Sequence, residues 1–164
     1  MINRLIEEYS PMLTALTLQL CQNEADAHDL FQDTWERVVR HARKHSLEKI
    51  HNHRAWLCKI CTNLYCDRFR RQKKDRQYTC APEDKELFLQ NIPDPESRED
   101  YAILFDAIAR LTAKQKSVVI LMYFYGFTQH EIAEMLSLPE GTVRSRLQDA
   151  LNKLRRDLNE ETAD

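Results

Sequence analysis

The sequence predicts an all-α protein of two small helical domains, joined by a flexible acidic linker, with a helix-turn-helix in the second domain. The chain has 164 residues but only 2 glycines and 5 prolines, and 43% of its residues are hydrophobic, which favours long helices. Apolar residues recur at helical spacing on both sides of a stretch rich in prolines and acids. We therefore expect a first domain at 1–76, a linker at 77–99 and a second domain at 100–164.

Three amphipathic segments account for the first domain. The first runs from Leu5 to Cys21, and Pro11 is expected to start or kink its main part. Asn23 is predicted to cap a second helix from about Glu24 to His41, and a third helix is expected from about Arg54 to Lys74. The apolar residues predicted to bury one another are Leu13, Leu16, Leu20, Leu30, Trp35, Val38, Val39, Leu57, Ile60, Leu64 and Tyr65.

The second domain is predicted to begin with two further helices. The first should start near Asp100 and bury its apolar side. Thr112 is predicted to cap the next helix, because Gln115 stands three residues on. Gly126 then occupies the usual stop position after the apolar run from Val118 to Phe124. The residues expected to pack in the first helix and its end are Leu104, Ile108 and Leu111.

The segment from Thr128 to Arg156 predicts two helices joined by a short turn. Thr128 and Glu131 have the spacing of a capping box, and Pro139 stands where a helix needs no amide hydrogen. One face of the second helix is apolar, and the other offers guanidinium, hydroxyl and amide groups suited to a major groove. An ordinary helical hairpin is the alternative, but it explains these features together less well. The residues assigned to DNA are Thr142, Arg144, Ser145, Arg146, Gln148 and Arg155.

Charge is strongly segregated along the chain, although the net charge is only −2. Residues 1–35 carry one basic and six acidic residues, a net charge of −5. Residues 36–76 carry thirteen basic and four acidic residues, a net of +9, and residues 77–100 return to −5 with two basic and seven acidic residues. The basic block fits a polyanion better than a solvated helix face, because compensating acids are few.

Neither export nor membrane insertion is indicated. No apolar run approaches the length of a membrane-spanning helix. The N-terminus also lacks the apolar core of a signal peptide, so a cytoplasmic protein is expected.

The cysteines are odd in number, which makes a disulfide framework improbable in such a chain. Cys58 and Cys61, with Cys66, His51 and His53 near them in sequence, raise the possibility of a zinc or redox site. Because this helix is expected to be buried and lacks a zinc knuckle, we interpret the thiols as small core residues and expect no metal. The five cysteines are Cys21, Cys58, Cys61, Cys66 and Cys80.

Three stretches follow one another in a specific order. They are DAHDLFQDTWERV at Asp26 to Val38, RAWLCKICTNLYCDRFRR at Arg54 to Arg71, and the long segment from Leu111 to Leu158. In this order, separated by an acidic linker, the chain resembles a bacterial RNA polymerase sigma factor of the extracytoplasmic-function (ECF) type. The resemblance implies a transcription initiation factor rather than an enzyme, which directs core RNA polymerase to two-part promoter DNA and helps to open it. It also implies an anti-sigma factor as a partner, and no cofactor or small-molecule substrate.

The resemblance assigns roles to residues of the first domain. The helix from Asp26 would face the polymerase, and Asn63 would bond the edge of an unstacked base in the minus-ten element. Two structural readings stay open: Trp35 as a core residue with the acids as helix caps, and Asn63 as a solvated or locally bonded side chain. The residues assigned to the polymerase are Asp29, Gln32, Asp33 and Trp35, and those assigned to minus-ten DNA are Asn63, Arg68, Arg70, Arg71, Lys73 and Lys74.

Two features depart from a simple match. Ser137 stands in the final turn where relatives usually have glycine, so either a positive φ there adds strain or the geometry of the turn shifts slightly. The cysteines of the third helix are the other departure.

Two further classes of protein stay open: a stand-alone regulator that dimerises on a palindrome, and a thiol or metal sensor. The first would need a ligand domain or a dimer helix, and neither is evident.

Overall fold

The computed structural model describes residues 1–71 and 98–163, and the chain divides into two compact units, Met1–Lys74 and Asp75–Asp164. All regular secondary structure in the described residues is helical, which confirms the predicted all-α class. The helices are α1 (Ile2–Cys21), α2 (Glu24–Lys44), α3 (His53–Arg71), α4 (Arg98–Ala109), α5 (Ala113–Val119), α6 (Gln129–Leu136) and α7 (Glu140–Ala163). None of these helices is long and apolar enough to cross a membrane.

The predicted linker lies almost wholly outside the described residues, as do Lys73, Lys74 and Cys80. Only its last two positions are described, and they already belong to α4, which begins at Arg98. The predicted start near Asp100 was therefore two residues late.

In the N-terminal unit, α1, α2 and α3 contact one another in all three pairs. The largest side chains that are fully buried there are Leu13, Leu16, Leu20, Leu30, Val38 and Leu57. Each was predicted to be buried from its helical spacing, and burial of this apolar surface is the main force that holds the three helices together.

Helix α1 runs without interruption from Ile2 through Pro11 to Cys21, so Pro11 does not start its main part, and the alternative of a kink at Pro11 stays a prediction. A proline inside a helix removes one backbone hydrogen bond. Pro11 is exposed, whereas Leu5 and Leu13 on either side of it are buried. Packing of both halves on the same core therefore outweighs the local preference of proline.

Helix α2 begins as predicted. Asn23 has an extended backbone, and its Oδ1 accepts a hydrogen bond from the amide of Asp26 at 3.1 Å. The helix continues to Lys44, three residues beyond the predicted end at His41. Arg43 and Lys44 lie in the last turn, where positive charge is favourable beside the free carbonyl groups.

Helix α3 buries Leu57 and Tyr65 as predicted, and the thiols of Cys58 and Cys61 that were expected to be core residues, but not all of the predicted apolar side chains. Its buried residues are Leu57, Cys58, Cys61, Thr62 and Tyr65. Ile60 and Leu64, which were expected to point inward, are only half-buried. Three of the five buried side chains, those of Cys58, Cys61 and Thr62, are small.

The C-terminal unit is organised around its last helix. Helix α7 contacts α4, α5 and α6, so it forms the long wall of this small core. The side chains that are fully buried there include Val118, Ile120, Leu121, Ile132 and Val143. Phe105 is also buried, although the sequence analysis did not place it in the core.

Local capping interactions set the ends of the short helices. Thr112 and Gln115 form a reciprocal capping box, in which both hydrogen bonds are 3.2 Å long. After α5 the chain makes a π-helical turn, Ile120–Phe124, that the sequence did not indicate. Gly126 then ends the helical segment with a φ of 73°, as its sequence position predicted.

Candidate nucleic-acid interface

The candidate recognition helix α7 follows α6 after a turn whose backbone groups are hydrogen-bonded. Thr128 accepts a hydrogen bond from the amide of Glu131 at 3.2 Å, and a Glu131 carboxylate oxygen accepts from the Thr128 amide at 2.7 Å. The predicted capping box is therefore confirmed. At the other end of α6, the amide of Leu138 donates to the carbonyl of Ala133 at 2.9 Å, which closes the helix in the manner of a Schellman motif.

Ser137 adopts the left-handed conformation that this turn requires, with φ 55° and ψ 47°. A residue with a Cβ atom pays about 1 kcal/mol or more for this backbone conformation, whereas glycine does not. The strain expected for a serine with a positive φ is therefore present at this position. The backbone hydrogen bond of Leu138 holds the turn in this conformation.

Helix α7 begins immediately after Pro139, whose carbonyl accepts from the amides of Thr142 at 3.0 Å and Val143 at 3.3 Å. His130 of α6 lies 3.2 Å from Glu134 and 3.6 Å from Glu140, so its imidazole stands between the two helices of the motif. These contacts fix the first turn of α7, which is the part that a reading helix presents to bases.

The two faces of α7 divide as the sequence predicted. Its buried residues are Val143, Leu147, Ala150 and Leu154. Among the residues assigned to DNA, those that are exposed are Arg144, Ser145, Gln148 and Arg155, and those that are half-buried are Thr142 and Arg146. The exposed Asp149 lies on the same helix and was not among the residues predicted to contact DNA. An acid there can accept a hydrogen bond from a cytosine amino group, whereas it repels phosphate.

The basic end of α3 is only partly available as a free cationic surface. Asn63 is half-buried, and Arg70 and Arg71 are exposed. Arg68, in contrast, forms an ion pair with Asp33 of α2. The structure thus joins one residue that was assigned to DNA with one that was assigned to the polymerase.

The acidic helix α2 presents some of its assigned residues and buries another. Asp29 and Gln32 are exposed, and the Gln32 amide lies 3.2 Å from the Nε2 atom of His28. Trp35 is only 8% exposed and meets Phe31 edge-on at a centroid distance of 6.3 Å. Its indole Nε1 finds no hydrogen-bond partner within the described parts of the chain. This burial favours the core interpretation of Trp35 over a polymerase contact.

A second basic surface lies at the C-terminal end of α2, within the basic block of residues 36–76 that was predicted to fit a polyanion. It surrounds an open cavity of about 320 Å³. The ring of His41 lies 4.7 Å from that of His45 and 5.0 Å from that of Trp56. The net positive charge of residues 36–76 indicated a basic surface, but which side chains form it depends on the fold. The lining residues are Arg37, Arg40, His41, Arg43, Lys44 and His45.

The cysteines of α3 form part of the core. Cys58 and Cys61 are fully buried, as the sequence analysis expected, and Cys21 of α1 is buried as well. Burial raises the pKa of the Cys58 thiol from 9.0 to about 11, and burial raises the pKa of Cys61 further. Among the described residues, no group of histidine, cysteine and acidic side chains is arranged to hold a metal ion. A thiol that resists ionisation is a poor nucleophile and a poor metal ligand.

Replacing Cys58 with alanine is expected to lower the free energy of unfolding at pH 7 by about 1 kcal/mol, through lost packing. In the wild type, the folded thiol keeps its proton to a higher pH than the unfolded one. Its stabilising effect is therefore complete below pH 9 and is lost towards pH 11, a fall of roughly 3 kcal/mol that the variant should lack. Urea titrations of both proteins across this pH range measure the difference. Zinc bound stoichiometrically by these thiols would contradict the packing role.

Comparisons with known proteins match both units. A family model described as "Sigma-70 region 2" matches residues 5–75, and one described as "Sigma-70, region 4" matches residues 107–156. The ECF RNA polymerase sigma factor SigL of Mycobacterium tuberculosis is 30% identical over 161 residues, covering 98% of this chain and 90% of that protein. The ECF RNA polymerase sigma factor SigW of Bacillus subtilis is 27% identical over 167 residues, covering 94% and 88%.

Two solved structures share the fold. The sigma factor RpoE from Bartonella quintana, in complex with the anti-sigma factor NepR, gives a TM-score of 0.71 at 23% identity and covers 96% of both chains. CnrH, in complex with the cytosolic domain of CnrY, gives a TM-score of 0.65 at 22% identity and covers 96% of this chain and 87% of that one.

Proposed function

The chain belongs to the extracytoplasmic-function group of RNA polymerase sigma factors, which are transcription initiation factors rather than enzymes, and we propose how its surfaces divide the tasks of binding core polymerase and promoter DNA. The observation that supports the proposal is the way in which α7 is packed and oriented in the C-terminal unit. Its apolar face is buried, its first turn is fixed by the capped turn at Ser137, and its polar face is open. Such a helix can enter a major groove without further rearrangement.

We assign base recognition in the minus-thirty-five element to the exposed side chains nearest the start of α7. Arg144 can bond guanine, Gln148 can bond adenine, and Ser145 can bond either. Arg146 and Arg155 are assigned to phosphates, and Thr142, half-buried in the first turn, is placed to bond the backbone.

Contact with the minus-ten element is assigned to α3. Arg70 and Arg71 are exposed at its end and suit successive phosphates, together with Lys73 and Lys74 that follow in the sequence. The carboxamide of Asn63 is assigned to the edge of an unstacked base. The basic surface around the cavity at the end of α2 would add a further cationic contact to the same strand.

The acidic part of α2 is assigned to the core polymerase. Asp29 and Gln32 are exposed on this helix, and DNA would repel the acid. We place Asp33 in the same surface and assign Trp35 to the core that supports it. Each DNA-binding element is small, so binding becomes tight only when the polymerase holds both elements near one promoter.

We further propose that an anti-sigma factor controls this protein and that it acts in the cytoplasm. Of the two solved structures that share the fold, RpoE from Bartonella quintana is bound to the anti-sigma factor NepR, and CnrH is bound to the cytosolic domain of CnrY. No catalytic step, cofactor or small-molecule substrate is part of the proposal.

The proposal is tested by promoter selection. Replacing Arg144 or Gln148 with alanine should cost roughly 1–3 kcal/mol of promoter binding by the holoenzyme and relax the preference at one base position. Arg155→Ala is the matched control on the same helix: it should weaken binding to all sequences alike and make the salt dependence less steep by about one phosphate contact. Core-dependent transcription from a set of promoters that differ in the minus-thirty-five element measures both effects.

If all three substitutions weakened binding equally on every DNA sequence, α7 would contribute only non-specific electrostatic attraction to DNA. Tight binding of the free protein to a palindrome, with no transcription after core enzyme is added, would favour the stand-alone regulator instead.

A further inference from the structure

Arg68 and Asp33 lie 35 residues apart in the sequence and meet across the contact between α2 and α3. The Arg68 Nη2 atom donates to Oδ2 of Asp33. The two side chains are 32% and 43% exposed, so they lie at the edge of the helix contact and remain open to a partner.

The surroundings of Asp33 hold its backbone firmly. Thr34 is fully buried, and its hydroxyl donates to the carbonyl of Leu30 at 2.7 Å. Trp35 is buried on the other side of Thr34. On α3, the residues of the two turns before Arg68 are also packed, because Cys61, Thr62 and Tyr65 are buried. Both ends of the ion pair are therefore carried by packed helices.

The pairing changes what Arg68 can do. A guanidinium already bonded to a carboxylate has much of its charge offset, so it is a weaker phosphate contact than the exposed Arg70 and Arg71. The carboxylate keeps free capacity, because its oxygens have about four acceptor sites and this bond uses one of them. Asp33 can thus bind a second cation while Arg68 holds it.

We propose that Arg68 is a positioning residue for polymerase binding: it fixes the Asp33 carboxylate so that the other oxygen is presented to a cationic group of the core enzyme. A carboxylate that is already held in one orientation loses less freedom when the partner binds. This inference rests on the proposed assignment of Asp33 to the polymerase. It replaces the assignment of Arg68 to a DNA phosphate.

The first experiment measures the affinity of the full-length variants for core RNA polymerase. Asp33→Ala is expected to weaken binding about tenfold, and Arg68→Ala between roughly three- and tenfold, as expected for loss of a partly exposed charge contact. The double variant should bind no more weakly than Asp33→Ala, because both substitutions remove one interaction. Arg70→Ala, two positions along the same helix, is the matched control and should leave core affinity unchanged.

Two further measurements exclude other roles for Arg68. Arg68→Ala should leave the salt dependence of promoter binding by the holoenzyme unchanged, whereas loss of a phosphate contact lowers the slope by about 0.9. The charge-exchanged variant Asp33→Arg with Arg68→Asp should recover thermal stability relative to the single variants. It should not recover core affinity, because a cation then stands where the polymerase meets an anion.

Separate outcomes identify what has failed. Unchanged core affinity in Asp33→Ala would overturn the polymerase assignment of Asp33 and this inference with it. Weakened binding in Asp33→Ala but unchanged binding in Arg68→Ala would overturn only the positioning role. Recovery of core affinity in the charge-exchanged variant would mean that the pair merely ties the two helices together.

Discussion

Asp29→Lys is expected to abolish transcription by the holoenzyme. Asp29 is exposed on α2, in the acidic surface assigned to the polymerase. A lysine there would set a positive charge against a basic surface of the core enzyme, which costs several kcal/mol, and about 3 kcal/mol already means a loss of more than 100-fold in affinity. Run-off transcription and direct titration of core enzyme measure the effect.

The matched control for this charge reversal is Glu7→Lys, which makes the same change at an exposed position of α1. It should leave core affinity and transcription close to those of the wild type. If both variants transcribed normally, the acidic surface of α2 would have no role in binding the polymerase. If both failed equally, the effect would come from the total charge of the N-terminal unit rather than from α2.

Ile132→Ala is expected to abolish recognition of the minus-thirty-five element, because it destabilises the C-terminal unit. Ile132 is fully buried on α6, the helix that supports α7. Truncation of a buried isoleucine costs about 2–5 kcal/mol, which is a large part of the stability of so small a unit. Urea titration measures the loss of stability, and DNA footprinting of the minus-thirty-five element measures the loss of recognition.

Leu30→Ala is the counterpart in the N-terminal unit, since Leu30 is equally buried on α2. It should lower the stability of that unit and weaken core binding, and Ile132→Ala should leave core binding intact. If either variant lowered the stability of both units equally, the two units would unfold as one.

The helix ends could be predicted because they depend on residues close in sequence. Asn23, Thr112 and Thr128 each bond an amide three residues ahead, so their spacing alone contains the interaction. The division of α7 into a buried and an exposed face also follows from one period repeated along a single helix.

The features that were missed depend on contacts between distant residues. Periodicity predicted α3 and the burial of Leu57 and Tyr65, but not that Ile60 and Leu64 are only half-buried, because the neighbours that decide burial belong to other helices. The ion pair between Asp33 and Arg68 could not be found from either helix alone. The passage of α1 through Pro11 is likewise decided by the core on which both its halves pack.

The division of the chain at residue 74 has a consequence for its synthesis. The N-terminal unit is a continuous stretch, Met1–Lys74, so all the side chains of its core have been made before the first residue of the second unit. Ribosomes add about 5–20 residues per second, so the 65 residues from Asp75 to Pro139, which precede α7, take roughly 3–13 s. Small helical units fold in well under a second. The surface assigned to the polymerase can therefore be complete on the nascent chain while the helix assigned to the upstream element has yet to be translated.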